Sequence, residues 1–259
     1  GVGRGTDLET VHTVSNDSSW GVLYGLVTEA IGFTPHSHEG KTMGLAAYGT
    51  PRPETVDFID WDRPVPRIDR KRLKRYLDRI PRRAPGAPIG PEHKDLAATL
   101  QATFERGLVQ MARFLFDRTR IPAFALGGGC ALNCSANGRL LREPYVERIF
   151  VQPAAHDAST ALGAAAFVYA KETGERPRTV LRHAYWGPAY GAKEIESLLR
   201  EAKTPRWERP SDLEGAVADL LVQGRIVGWF QGRMEVGPRA LGGRSILADP
   251  RTTDMKDRV

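Results

Sequence analysis

PAFALGGGCALNCSANGRLLREPYVERIFVQPAAHDAST, residues 122–160, is the stretch that decides the fold. Residues 122–126 form a short apolar run that ends on Gly127-Gly128-Gly129, the pattern of a buried strand entering a tight turn. Residues 130–142 then read as a helix and 148–152 as a second strand, which Pro153 ends. A loop with His156-Asp157 follows, and an Ala-rich helix runs over 160–171. Strand, glycine turn, helix, strand, loop, helix marks an α/β fold, with ligand chemistry expected at the carboxyl ends of the strands.

On the N-terminal side, Leu96, Leu100, Phe104, Leu108, Met111 and Leu115 recur at helical spacing and predict one long helix over about 93–119. Residues 18–33 predict another helix, and EGKTMGLAAYG (39–49) a third that stops at Gly49-Thr50-Pro51. Between these lies a basic run. Residues 63–83 hold ten Lys/Arg against two Asp, a net of +8 in a chain whose total is +6. Prolines bound it, and Leu73, Tyr76, Leu77 and Ile80 give it a short helical stripe. The reading is a solvated helix-loop insertion, with polyanion binding as the alternative. On the C-terminal side, 172–192 look like a linker, 193–202 and 212–224 like helices, and RIVGWFQG (225–232) like a strand. The expected organisation is a first domain over 1–177, a linker over 178–192 and a second domain over 193–259.

The chain has 259 residues, 41% of them apolar and 26% charged, which excludes a disordered protein. No apolar run is long enough to span a membrane. The start, Gly1-Val2-Gly3-Arg4, holds no apolar leader core, and the two cysteines cannot build a disulfide framework, so a reducing cytoplasm is the expected setting. The chain opens in a Gly-rich loop and stops where a helix is starting at Met255–Val259. It reads as an internal fragment of a longer protein.

Four segments could carry chemistry. In ALGGGCALNCSANG (125–138), three glycines after a strand let a ligand approach the backbone, and the following helix start offers free N–H groups: an anion cradle. Asn133 is expected one turn into that helix, facing the loop. Cys130 and Cys134 lie four apart, which is not a metal-type CxxC, and read as packing residues. In QPAAHDAST (152–160), Asp157 could ligate a metal or cap the helix, and residue type alone favours the cap. In HEGKTMGLAAYG (38–49), Glu39 and Lys41 precede an apolar helix and decide nothing alone. In GWFQGRMEVGPRALGGRSILADPR (228–251), Arg233, Arg239, Arg244 and Arg251 alternate with turn-formers, which suits recognition of phosphate or carboxyphosphate.

Taken in order, EGKTMGLAAYG, ALGGGCALNCSANGRLL, VQPAAHDASTALGAA and WFQGRMEVGPRALGGRSILADPR resemble the O-carbamoyltransferase family of nodulation, cephamycin and aminoglycoside-antibiotic biosynthesis. The resemblance covers nearly the whole chain and is weakest over 51–92. It implies part of an actin-like ATPase domain, like that of the threonylcarbamoyladenosine synthases, followed by the start of a YrdC-like α/β domain. It implies ATP and carbamoyl phosphate as partners, carbamoyl adenylate made at the YrdC-like domain, and transfer to the hydroxyl of a small acceptor near a divalent metal, typically Fe(II). By the same resemblance Asp157 is the catalytic, metal-binding aspartate. Gly127, Gly128, Gly129 and Asn133, with Glu39 and Lys41 more loosely, approach the nucleotide. Arg233, Arg239, Arg244 and Arg251 match the carbamoyl phosphate and nucleotide signature. The family completes its metal with an HxxxH pair that this sequence lacks, so the fragment alone is expected to be inactive. His156 stands where glycine is expected, and Gly243 where asparagine is usual.

Three other readings are weaker. A sugar-kinase-like ATPase has no use for GPRALGGRSILADPR. A tRNA threonylcarbamoyl transferase would suit the basic run but not the second domain, and nucleic acid is not the expected partner. A non-catalytic nucleotide-binding protein requires that the upstream histidines be lost.

Overall fold

The computed structural model describes residues 1–178, 180–203 and 206–259, in two units, Gly1–Pro177 and Arg178–Val259. The first opens with an antiparallel hairpin, β1 (Val2–Arg4) and β2 (Asp7–Glu9). Helix α1 (Trp20–Ala30) starts where the Ser19 hydroxyl accepts the Val22 N–H. Helix α2 (Glu39–Leu45) tightens into a single turn over Ala46–Tyr48. A short ladder of β3 (Ile59–Asp60) and β4 (Arg67–Ile68) leads to α3 (Arg70–Leu77), capped by Asp69. Then come α4 (Pro91–Thr119), β5 (Ala123–Leu126), α5 (Cys134–Leu141), β6 (Arg148–Val151) and α6 (Thr160–Thr173).

Helix α4 is the spine of this unit. Its stripe of Leu96, Ala97, Leu100 and Phe104 is buried with Leu23, Tyr24 and Val27 of α1 and with Leu73 and Leu77 of α3. Gly107 lets α1 come close: a Cβ there would stand 2.2 Å from the Trp20 ring. The break at 49–52 does more than end a helix. The Thr50 N–H donates to Asp95 Oδ1 (2.8 Å), the Arg52 N–H to Thr99 Oγ1 (2.9 Å), and the Arg52 guanidinium to Asp95 Oδ2. The turn is thereby clamped on the first turns of α4. Farther along α4, Ala112 and Phe116 pack with Leu140, Tyr145, Val146, Phe124 and Ile149, seating α5 and the β5–β6 pair.

The basic run corrects one expectation. It is not a solvated insertion throughout, because Leu73 and Leu77 lie in the main core while Lys71, Lys74 and Arg75 stay outside. Amphipathic spacing drives this: the apolar pair four apart occupies one face of α3.

The second unit contains α7 (Ala192–Glu201), α8 (Leu213–Val222), β7 (Val227–Phe230), β8 (Arg244–Leu247) and α9 (Met255–Arg258). Strand β8 pairs antiparallel with β7, placing Trp229 opposite Ser245. Only one strand was expected here, since RSIL follows a glycine pair inside what reads as a binding loop. Residues within 178–192, expected as a linker, are bonded into this unit: the Gly187 N–H donates to Met234 O, the Met234 N–H to Pro188 O and the Val236 N–H to Ala184 O. Helices α6, α7 and α8 bury no side chain. Among the described residues no helix is long and apolar enough to cross a membrane.

Candidate functional site

Strands β5 and β6 are parallel and in register, Leu126 opposite Val151. The glycine loop after β5 and the His156-Asp157 loop after β6 therefore leave from the same sheet edge. Gly128 (φ +84°, ψ 163°) holds a backbone conformation that only glycine adopts without strain, and a Cβ on Gly127, Gly128 or Gly129 would meet only open space. The loop is open and its glycine is needed for shape. A tight turn over Gly129–Leu132 delays the helix, so α5 begins at Cys134 and Asn133 is its N-cap, not a residue one turn inside.

Asn133 is buried and fully engaged. Its Oδ1 accepts the Ala136 N–H (3.0 Å) and a hydrogen from Gln101 Nε2 (3.0 Å), while its Nδ2 donates to Gln101 Oε1 (2.8 Å). Gln101 also accepts from the Tyr24 hydroxyl (2.9 Å) and donates to Glu105. Burial pushes the Tyr24 hydroxyl far above the ordinary phenol range, so it remains a donor. This amide pair fixes the end of the glycine loop to the middle of α4. Glu39, at the start of α2, receives the His36 N–H (2.6 Å) and lies near enough to act electrostatically on Cys130. Burial first, and that carboxylate second, raise the Cys130 thiol, which keeps it protonated and half-buried against the core. Cys134, expected to pack, is exposed. Lys41 is exposed on α2.

At the other loop the cap is His156, whose Nδ1 accepts the Ala158 N–H (3.3 Å). Residue type alone favours Asp157 for that role. Instead its carboxylate is exposed and has no hydrogen bond or ion pair among the described residues. It is available to a ligand. No group of three or more His, Cys, Asp or Glu that could hold a metal occurs among the described residues. One carboxylate does not make a metal centre, so the residues present here do not fit the metal by themselves.

In the second unit, the segment expected as an arginine loop is split: Arg233 and Arg239 lie in the connection of the β7–β8 hairpin, Arg244 opens β8 and Arg251 follows it, and the connection is organised by a residue that the sequence reading missed. Glu235 has a wholly buried carboxylate. Its Oε1 accepts the N–H groups of Leu241 (2.7 Å), Gly243 (2.7 Å) and Arg244 (3.3 Å), and its Oε2 accepts Arg244 Nε (2.9 Å). Burial would raise this carboxyl, but those donors outweigh it and carry it down to about 2. Arg244 also donates through Nη2 to the carbonyls of Gly237 and Arg239. Gly243 is buried, and a Cβ there would stand 2.9 Å from Arg233 O and 3.0 Å from Glu235 Oε2. No side chain fits there without the hairpin shifting, which gives a physical reason for glycine in place of asparagine.

The four arginines are not equivalent. Arg244 is largely used inside the hairpin, and Arg251 is paired with Asp249. Arg233 donates through Nε to Gly187 O (3.1 Å), and Arg239 leaves its guanidinium exposed, with no hydrogen bond or ion pair among the described residues. The arrangement can present forked donors to a small anion on a backbone held rigid by one carboxylate.

Comparison with known proteins places both halves. Residues 2–166 match the family description "Carbamoyltransferase N-terminus" and residues 218–259 match "Carbamoyltransferase C-terminus". The chain belongs to the carbamoyltransferase family. It is 40% identical to the nodulation protein NolNO of Sinorhizobium fredii, over 100% of this chain and 39% of that protein. It is 37% identical to the nodulation protein NolO of Bradyrhizobium diazoefficiens, over 100% of this chain and 48% of that protein. It is 30% identical to the 3'-hydroxymethylcephem-O-carbamoyltransferase of Streptomyces clavuligerus, over 85% of this chain and 40% of that protein. This carbamoyltransferase chain thus spans less than half the length of these relatives. Within it, Gln101 could have been suspected as a polar side chain on an apolar helix stripe. Glu235 gave a weaker signal, a lone acid two residues before a Gly-Pro turn.

Proposed function

We propose that the protein carrying this chain is an ATP-dependent O-carbamoyltransferase. In this reading the second unit is the start of a YrdC-like domain that makes carbamoyl adenylate from carbamoyl phosphate and ATP. The first unit is part of an actin-like ATPase domain where the carbamoyl group passes to a hydroxyl of a small acceptor. The observation that carries it is the occurrence of both carbamoyltransferase halves, in order, on one chain, with a Glu235-braced arginine hairpin in the second.

The chemistry assigns distinct work to the residues. For carbamoyl phosphate and ATP to give carbamoyl adenylate, inorganic phosphate must leave the carbamoyl group and pyrophosphate must leave the nucleotide, with one water consumed. Arg239 and Arg233, held on the hairpin, suit the departing phosphate charge, and Arg244 keeps the hairpin's shape. In the transfer step the acceptor oxygen bonds the carbamoyl carbon, AMP leaves with the bonding electrons, and the hydroxyl proton is lost. The glycine loop, through the backbone around Gly127, Gly128 and Gly129, suits the adenylate phosphate. Asn133 supports the loop from behind, Glu39 on α2 acts electrostatically on Cys130 just after it, and Lys41 is the cation we assign to the nucleotide from the same helix. Asp157 would contribute one ligand to a divalent metal such as Fe(II), and no step is routed through that ion.

The test is an assay of the protein at its full natural length. Pyrophosphate should be released from ATP only when carbamoyl phosphate is present. Release that ignores carbamoyl phosphate, or that requires threonine in its place, overturns the proposal.

A further inference from the structure

A cleft of about 370 Å³ opens in the first unit between residues 12–18, residues 63–67 and the second half of α4. That size suits a small molecule. Its walls are tied together by hydrogen bonds. The Gln110 amide donates to the carbonyls of Trp61 (2.9 Å) and Arg63 (2.7 Å), holding one wall on α4. Ser18 Oγ accepts the Ile68 N–H (3.3 Å), holding the second wall against β4.

The lining has two chemistries. Arg63, Arg67 and Arg118 line it against a single carboxylate, Asp17. Arg63 is engaged by Asp60 through Nε (2.7 Å); Arg67, opposite Asp60 in the β3–β4 ladder, feels the same charge without a direct ion pair, and Arg118 has no ion-pair partner among the described residues. The Arg118 guanidinium lies 4.9 Å from the Phe114 ring centroid, and the His12 ring meets Phe114 edge-on at 5.4 Å. Val14 and Pro64 complete an apolar wall. Guanidinium forks beside flat apolar surface match an aromatic ring that bears a carboxylate or phosphate.

The cleft is remote from the transfer site described above. Gln101 holds Asn133 at the end of the glycine loop, and Phe114 and Arg118 lie farther along the same helix. At 1.5 Å per residue that separation is about 20–25 Å along α4.

We propose that this cleft is a second ligand site, which binds a small aromatic anion. Phenyl phosphate and benzoate are suitable probes, with inorganic phosphate and benzyl alcohol carrying one feature each, all titrated calorimetrically into the intact protein. Phenyl phosphate or benzoate should bind saturably, one per chain, and at least tenfold tighter than either single-feature control. Arg67→Gln and Arg118→Gln should each weaken that binding about tenfold or more, the expectation for losing a charge-assisted hydrogen bond. Neither should alter ATP binding or the melting temperature. Equal affinity for phenyl phosphate and inorganic phosphate overturns the proposal, as does indifference to both substitutions. The basic face of α3 supplies the rival. If duplex DNA binds instead, with steep salt dependence and sensitivity to Lys71→Gln and Lys74→Gln but not Arg118→Gln, the surface is a polyanion track and not a ring pocket.

Discussion

Glu235 gathers four donors onto one buried carboxylate, so its charge and its shape are both in use. Glu235→Gln retains an acceptor oxygen but removes the charge facing Arg244 and places an amide donor among donors. The variant should melt below the parent at pH 7 and, on the proposed function, weaken carbamoyl phosphate binding by the full-length protein about tenfold, since a charge-assisted hydrogen bond is at stake. The pH dependence follows from the direction of the shift. The folded carboxyl titrates at about 2 against an ordinary 4.5, so its stabilisation is complete above 4.5 and disappears as pH falls to about 2. The melting gap between parent and variant should therefore hold steady down to pH 4.5 to 5 and close below it. A gap that stays constant to pH 2.5 in scanning calorimetry would mean that the charge does not contribute.

Helix α4 shows how one element serves core and site together. Gly107 faces the Trp20 ring at a distance that admits no methyl group. Gly107→Ala gains about 0.5–1 kcal/mol of helix propensity but overpacks a buried aromatic at about 1–3 kcal/mol. The net effect should be a loss of up to about 2.5 kcal/mol in urea unfolding, whereas a solvent-facing glycine would give a gain. One turn and a half earlier, Gln101 answers Asn133. Asn133→Ala removes a helix cap and strands the Gln101 amide, at about 2–4 kcal/mol together. Asn133→Ser, which can still cap, should fall between the two in the same titration. Much of this was legible in sequence: the run from Leu96 to Leu115 announces α4, Ala123–Leu126 and Gly127–Gly129 announce β5 and its turn, and the four motifs announce the family. What was not legible depends on contacts between distant residues. Asn133 reads as a ligand residue until Gln101, thirty-two positions earlier, is seen to occupy it. Asp157 reads as a cap until His156 takes the turn. Strand β8 is hidden because its pairing with β7, not its own four residues, makes it a strand.

Across the molecule, burial is uneven. Among the described residues, both apolar clusters lie in the first unit, with α4 in each, while α6, α7 and α8 bury no side chain. Isolated helices of their length are marginal in water. In native-state hydrogen exchange, amides over 96–112 should be the slowest and those of α6 among the fastest, by at least a hundredfold in rate. Equal protection in α6 and α4 would show that α6 is covered in solution. The same unevenness has a practical side. Among the described residues, of the large apolar side chains left exposed, only Leu8, Val14 and Tyr48 precede residue 141, and Leu162, Phe167, Val168 and Tyr169 crowd onto α6 alone. Extended apolar surface of this kind promotes self-association. Purified alone, the chain should therefore be colloidally unstable, with light scattering that rises with concentration and falls when Phe167 and Val168 are replaced by glutamate.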